Sequence, residues 1–90
     1  MKFAKNIKDI EFNKVTMYGE EIELSEPIVM ASAAGWYVGA ICKEDGNLFI
    51  HPYDRYTEYM TQEKAQVVLD TPEEDGGFKG HPFAKEYEYE

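Results

Sequence analysis

Large apolar residues near the N-terminus fall at Phe3, Ile7, Ile10 and Phe12. The spacing of the first three suits a short helix, and that of the last two a strand; the adopted reading is a strand over 7–12. Two β-compatible runs follow, 15–18 and 21–24, separated by Gly19-Glu20. Glycine in the first turn position suits a two-residue type II′ hairpin. Alternation then puts Ile22 and Leu24 on one face and Glu21 and Glu23 on the other.

Ser25-Glu26-Pro27 breaks this alternation. Ile28, Val29 and Met30 lead into small residues at 31–35, which permit a close backbone approach, a bulge or a tight turn. Residues 36–42 read as a strand. Trp36, Val38, Ala40 and Cys42 share one face, and Tyr37, Gly39 and Ile41 the other. Both faces are largely apolar, as in a central strand. Lys43-Glu44-Asp45-Gly46-Asn47 carries the Asp-Gly turn signature, and 48–51 is the partner strand, ended by Pro52. PYDRYTEYM, residues 52–60, reads as a tyrosine-rich loop. Thr61 is a suitable N-cap for a helix over 62–70, with Glu63 near the positive end of its dipole. Ala65, Val68 and Leu69 form its apolar stripe, and Asp70-Thr71-Pro72 ends it. So short a helix depends on packing rather than propensity.

These elements predict a small α+β domain: a mainly antiparallel sheet of about four or five strands with one short helix on one face. The expected domain covers 1–72. The expected remainder, 73–90, is an acidic, aromatic-containing C-terminal tail.

Ninety residues are enough for one domain. Such a chain buries only about 60–65% of its unfolded surface, so the core is thin. Seven Tyr, five Phe and one Trp supply much of its apolar volume. The net charge of −9 argues against a nucleic-acid backbone or an anionic membrane as a direct partner and favours a basic protein. No apolar run reaches the length of a membrane span, and MKFAKNIKDIEFN lacks the apolar core of a signal peptide. Cys42 is the sole cysteine, and the simplest location is cytoplasmic.

Catalytic and metal chemistry find weak support. Cys42, His51 and Asp54 are residue types that build a nucleophilic triad, but Cys42 falls on an apolar strand face, where a thiol serves as a small hydrophobe. His51, Asp54 and His81 have no informative metal-ligand spacing. Gly35, Gly39 and Gly46 precede no helix N-terminus and form no phosphate cradle. The expectation is no enzyme, no cofactor and no metal. Trp36 reads as a core residue, with a small-molecule pocket beside it as the alternative.

The tyrosine segment is more suggestive. Tyr53, Tyr56 and Tyr59 lie among Asp54, Arg55 and Glu58, the combination of rigid aromatics and a forked donor common at protein interfaces. A second pattern is acidic: Glu20, Glu21 and Glu23, then Glu44 and Asp45, then Glu73, Glu74 and Asp75. Carboxylates two residues apart on a strand lie about 6–7 Å apart, near the phosphate spacing of one DNA strand. That suggests a DNA-mimicking inhibitor of a nucleic-acid enzyme, such as a defence nuclease. A solvated surface is the plainer reading.

AGWYVG, an acidic turn and HPYDRYTEYMTQEKAQVVLD, within residues 31–70, resemble small uncharacterised proteins from bacteriophage and plasmid accessory regions. In those a GWY-type strand precedes a PYDR- or PYSR-like loop, a tyrosine turn and a short T-x-E-x-A-x-x-x-L helix. The resemblance implies a mobile-element setting and no mechanism. The expected function is a small acidic, non-enzymatic accessory protein acting by protein–protein contact, with homodimerisation by strand-edge pairing left open.

Overall fold

One ten-residue strand organises the chain. The computed structural model describes residues 2–44 and 49–79. In chain order the strands are β1 (Lys2–Phe3), β2 (Phe12–Met17), β3 (Glu20–Ser25), β4 (Ile28–Ser32), β5 (Gly35–Glu44) and β6 (Phe49–Arg55). The helix α1 spans Gln62–Asp70, and 3-10 turns occupy Ile7–Asp9 and Glu73–Asp75. Every strand pairing is antiparallel. The fold is therefore α+β, among the described residues a six-stranded sheet with a single short helix.

β5 is central, as its two apolar faces predict. Along one edge it pairs first with β4, from Gly35 to Gly39, and then with β3 at Cys42 and Lys43. Along the other it pairs with β6. The Glu26-Pro27 corner between β3 and β4 lets both strands share one edge, and the sheet curls there into a half-barrel. At this handover the Ile41 N–H faces neither strand's backbone acceptors. The buried Ser25 hydroxyl accepts it at 2.9 Å and itself donates to the Glu26 carbonyl at 2.8 Å.

The helix covers one face. Ala65 packs with Val29 and Val38, and Trp36, Met60, Val68, Leu69 and Phe78 close around them. Thr61 caps it as expected, accepting from the Lys64 N–H at 3.2 Å. On the opposite face Ile28, Met30, Tyr37 and Ile41 meet Ile10, with Phe3, Phe12 and Ile50 around them.

Four local expectations are corrected. Lys43 and Glu44, expected in the second turn, continue β5 and pair with Ile50 and Phe49; positions 45–48 lie outside the described residues. Residues 7–12 do not form a strand: Asn6 caps a 3-10 turn over Ile7–Asp9, and β2 begins only at Phe12. The first hairpin turns at Tyr18-Gly19 rather than Gly19-Glu20. Met17 pairs with Glu20, and both turn residues have positive φ, 53° and 80°, the type I′ geometry that matches strand twist. Finally, β6 does not stop at Pro52 but runs on to Arg55. Among the described residues β6 pairs only with β5, and a strand paired on one side tolerates proline because only one of its edges needs donors.

Beyond α1, the Phe78 N–H donates to the Val68 carbonyl, Lys79 donates to Thr71, and the Phe78 ring joins the helix-side core. Residues 73–79, the first part of the expected tail, thus fold back on the helix; 80–90 lie outside the described residues. Among the described residues no helix is long and apolar enough to cross a membrane.

Ser25→Ala leaves the buried Ile41 N–H without its acceptor. It is expected to lower unfolding free energy by about 1–3 kcal/mol at an unchanged denaturant slope, read by urea titration. Wild-type stability in that variant would mean the handover does not depend on the hydroxyl.

Candidate functional site

Two side-chain groups are built on the β5–β6 ladder, and a bulge separates them. Pairing slips from Ile41↔Pro52 to Ala40↔Asp54, which leaves Tyr53 as the extra residue. Such a bulge re-aims the side chains beyond it. His51 pairs with Cys42 and shares its face, whereas Arg55 pairs with Gly39 and shares the face of Tyr37.

The first group surrounds Arg55. Its guanidinium lies 4.7 Å from the Tyr59 ring centroid, and Nη1 donates to the Thr57 carbonyl at 2.8 Å. Tyr59 meets Tyr37 edge to face, with centroids 5.5 Å apart and planes at 89°. Tyr37 is 7% exposed and Tyr59 45%. Burial pushes the Tyr37 phenol pKa up, the Tyr59 phenol adds to that, and Arg55 opposes it. Asp54 turns its carboxylate onto the Arg55 N–H at 2.8 Å. With Pro52 and Tyr53 these residues line an open recess of about 390 Å³.

Glycine makes this arrangement possible. A Cβ on Gly39 would lie 2.3 Å from the Asp54 carbonyl oxygen and 2.9 Å from the Tyr37 ring. The Tyr37 ring therefore occupies space that any other residue at 39 would fill.

The tyrosine segment divides between surface and core. Tyr53 and Tyr56 pack on the cluster of Val15, Leu24 and Cys42, and Tyr56 stacks on Phe78 at 5.3 Å. Glu58 is exposed, and its carbonyl accepts from the Thr57 hydroxyl at 2.9 Å. Tyr37 was not singled out for the interface; the signal was Gly39, two residues later on the same strand face.

The second group is Cys42, Glu44 and His51. His51 Nε2 lies 2.6 Å from Glu44 Oε2, and Nδ1 lies 3.1 Å from the Pro52 carbonyl oxygen. Cys42 Sγ is 4.0 Å from the same Glu44 oxygen. The three potential donor atoms all lie within 4.8 Å of one another. Both imidazole nitrogens face acceptors, so the charged ring is favoured. The Glu44 hydrogen bond is the main cause of the raised His51 pKa, the Pro52 carbonyl adds to it, burial opposes it, and the carboxylate charge adds a little more. Burial, then the Glu44 charge, pushes the Cys42 thiol up. The thiol lies within 4.8 Å of the imidazole, but the nearer Glu44 carboxylate and burial both oppose the thiolate. That is the reverse of nucleophile activation. Asp54, the residue considered as an orienting carboxylate and as a metal ligand, belongs to the Arg55 group instead. His81 lies outside the described residues.

Acids elsewhere are mixed with bases. Lys14 pairs with Glu21 at 3.9 Å and Lys5 with Glu26 at 2.7 Å. Glu23 stands opposite Lys14 on β2 and Lys43 on β5. Glu20 is exposed beside the first hairpin turn, and Glu73, Glu74 and Asp75 form the exposed second 3-10 turn. Asp45 lies outside the described residues. A cleft of about 570 Å³ runs between the N-terminal segment, the Glu26-Pro27 corner and α1, lined by Lys5, Pro27, Gln66, Leu69 and Phe78 among others. Trp36, half-buried on the helix-side core, lines neither it nor the recess.

No protein-family model, curated protein or solved structure matches this chain.

Gly39→Ala is expected to cost about 1–3 kcal/mol in a urea titration, because backbone and ring must both move. It should also shift the Tyr37 and Tyr59 ring resonances; unchanged resonances would refute the packing described. The His51 ring should titrate above the ordinary value of about 6.5 by NMR, and Glu44→Gln should lower it. A raised folded pKa stabilises below the unfolded value and loses that contribution as pH rises through the folded one. Wild type should therefore exceed Glu44→Gln in stability at pH 6, by less than about 1 kcal/mol for so exposed a pair, with the difference fading at alkaline pH.

Proposed function

We propose that this chain is a non-enzymatic accessory module that binds a protein partner at the open recess lined by Tyr37, Asp54, Arg55 and Tyr59. The observation that carries the reading is the Arg55–Tyr59–Tyr37 stack. A guanidinium lies over a half-exposed phenol, which rests on a buried one. Two of the three groups are held before any partner arrives, so little side-chain entropy remains to be lost on docking. Aromatic and Arg side chains in this state are the residue types that dominate binding energy at interfaces.

The partner is a basic protein. The chain's charge of −9 steers such a surface toward it, while the stack supplies the short-range contact. Asp54 and Glu58, both exposed, form the acidic rim. The setting is cytoplasmic and belongs to a mobile element.

The test is affinity capture from a lysate of the source organism at low and high salt, using wild type, Arg55→Ala and Tyr59→Ala side by side. A partner identified by mass spectrometry should persist at high salt. Once purified, it should bind each variant at least about tenfold more weakly, a loss of about 1.4 kcal/mol or more. A partner held equally by all three proteins would sink the reading. A partner lost at high salt from all of them would point to the carboxylates, as a phosphate-mimicking inhibitor requires.

A further inference from the structure

The Cys42, Glu44 and His51 group does nothing in the reading above, and its donor chemistry is specific. Thiolate sulfur, imidazole nitrogen and carboxylate oxygen are the three ligand types of zinc sites that keep an open fourth position. We infer that Cys42 Sγ, Glu44 Oε2 and His51 Nε2 bind one divalent cation of the zinc class, with water completing its shell.

Distance, scaffold and tautomer support this independently. In a tetrahedral zinc centre with metal–ligand bonds of about 2.0–2.3 Å, the ligand atoms lie about 3.3–3.7 Å apart. Here sulfur and oxygen are 4.0 Å apart, nitrogen and oxygen 2.6 Å, and no pair exceeds 4.8 Å. Small side-chain rotations bring all three to ligand spacing. The scaffold is stiff: Cys42 and Glu44 alternate onto one face of β5, and His51 pairs directly with Cys42 across the ladder.

The third support is the Pro52 carbonyl, 3.1 Å from His51 Nδ1. A carbonyl oxygen only accepts, so Nδ1 keeps its proton and the Nε2 lone pair is the one available to a metal. Ligating histidines are commonly oriented by such a hydrogen bond. Access comes from the solvent side. The Glu44 and His51 side chains are 47% and 45% exposed, while Cys42 closes the inner wall. Binding releases the thiol proton and the proton between His51 and Glu44.

The experiment titrates Co²⁺ into the metal-free full chain. The expected result is a near-ultraviolet thiolate-to-cobalt charge-transfer band that saturates at one equivalent and disappears on addition of Zn²⁺. Cys42→Ser should abolish the band. Because Cys42 is buried and that variant risks misfolding, His51→Gln and Glu44→Gln carry the test at exposed positions. Each should fold as wild type by circular dichroism, bind Co²⁺ at least about tenfold more weakly, and lose the Zn²⁺-induced rise in melting temperature. Absence of the band in wild type at excess Co²⁺ would overturn the site. So would undiminished affinity in both exposed variants.

Discussion

The structure depends on satisfying the backbone of β5 along both of its edges. A central strand has no water to complete its hydrogen bonds, so each buried N–H needs a protein acceptor. No single neighbour runs the full length of β5 on either side. On one edge β4 gives way to β3, and the Ser25 hydroxyl receives the Ile41 N–H left between them. On the other edge β6 gives way to the segment after Arg55, and the Thr57 hydroxyl receives the Val38 N–H at 3.1 Å. Each hydroxyl passes its own proton to the carbonyl of the next residue, Glu26 or Glu58. Two short polar side chains thus let four segments share one strand. The Trp36–Met60 pair of backbone hydrogen bonds, at 2.9 and 2.7 Å, completes the second edge.

That arrangement explains why a nine-residue helix suffices. Met60 is tied to Trp36, and Thr61 caps α1 one residue later. The helix therefore starts at a point already held against the sheet, and much of its ordering cost is met before its first turn forms. Ala65, without side-chain bulk, brings the helix down onto Val29 and Val38. Phe78 closes the far end through its backbone bond to Val68 and its stack on Tyr56. Backbone hydrogen bonds and apolar packing thus hold both ends of a helix whose exposed face includes Val67, 65% accessible.

Strong local signals were legible in the sequence. The two apolar faces of residues 36–42 mark β5 as central, and Thr61 with the Ala65, Val68 and Leu69 stripe marks α1 to the residue. What failed to show depends on long-range pairing. Ser25 reads as part of a break because its hydroxyl partner, Ile41, is sixteen residues away. Pro52 reads as a stop because it cannot be inferred locally that β6, among the described residues, pairs only with β5. Gly19-Glu20 reads as the turn because glycine suits the first position of a type II′ loop, whereas the pairing of Val15 with Ile22 puts the positive φ on Tyr18 and Gly19. Glu44 was grouped with the turn acids, although alternation from Cys42 already placed the two on one face. Tyr53, Tyr56 and Tyr59 look equivalent in sequence, yet the first two pack on core clusters and only the third stays substantially exposed.

The bulge at Tyr53 decides what the β5–β6 ladder can present. In a regular strand, side chains alternate with a period of two, so His51 and Arg55 would share a face. His51 would then stay opposite Cys42 while Arg55 stood opposite Val38, on the side the helix covers. A guanidinium in that position would be desolvated against Val38 and the helix-side core around Ala65. The extra residue inverts the parity. His51 stays with Cys42 and Glu44, while Arg55 crosses to the face of Gly39 and Tyr37. Tyr53, the residue that absorbs the slip, keeps its ring on the inner cluster, so the inversion costs no apolar packing there. One irregularity of register thus separates a donor cluster from an aromatic–guanidinium surface within a single seven-residue strand. A regular ladder would leave His51 with Cys42 and Glu44 but drive Arg55 into the helix-side core, away from Tyr59 and Tyr37.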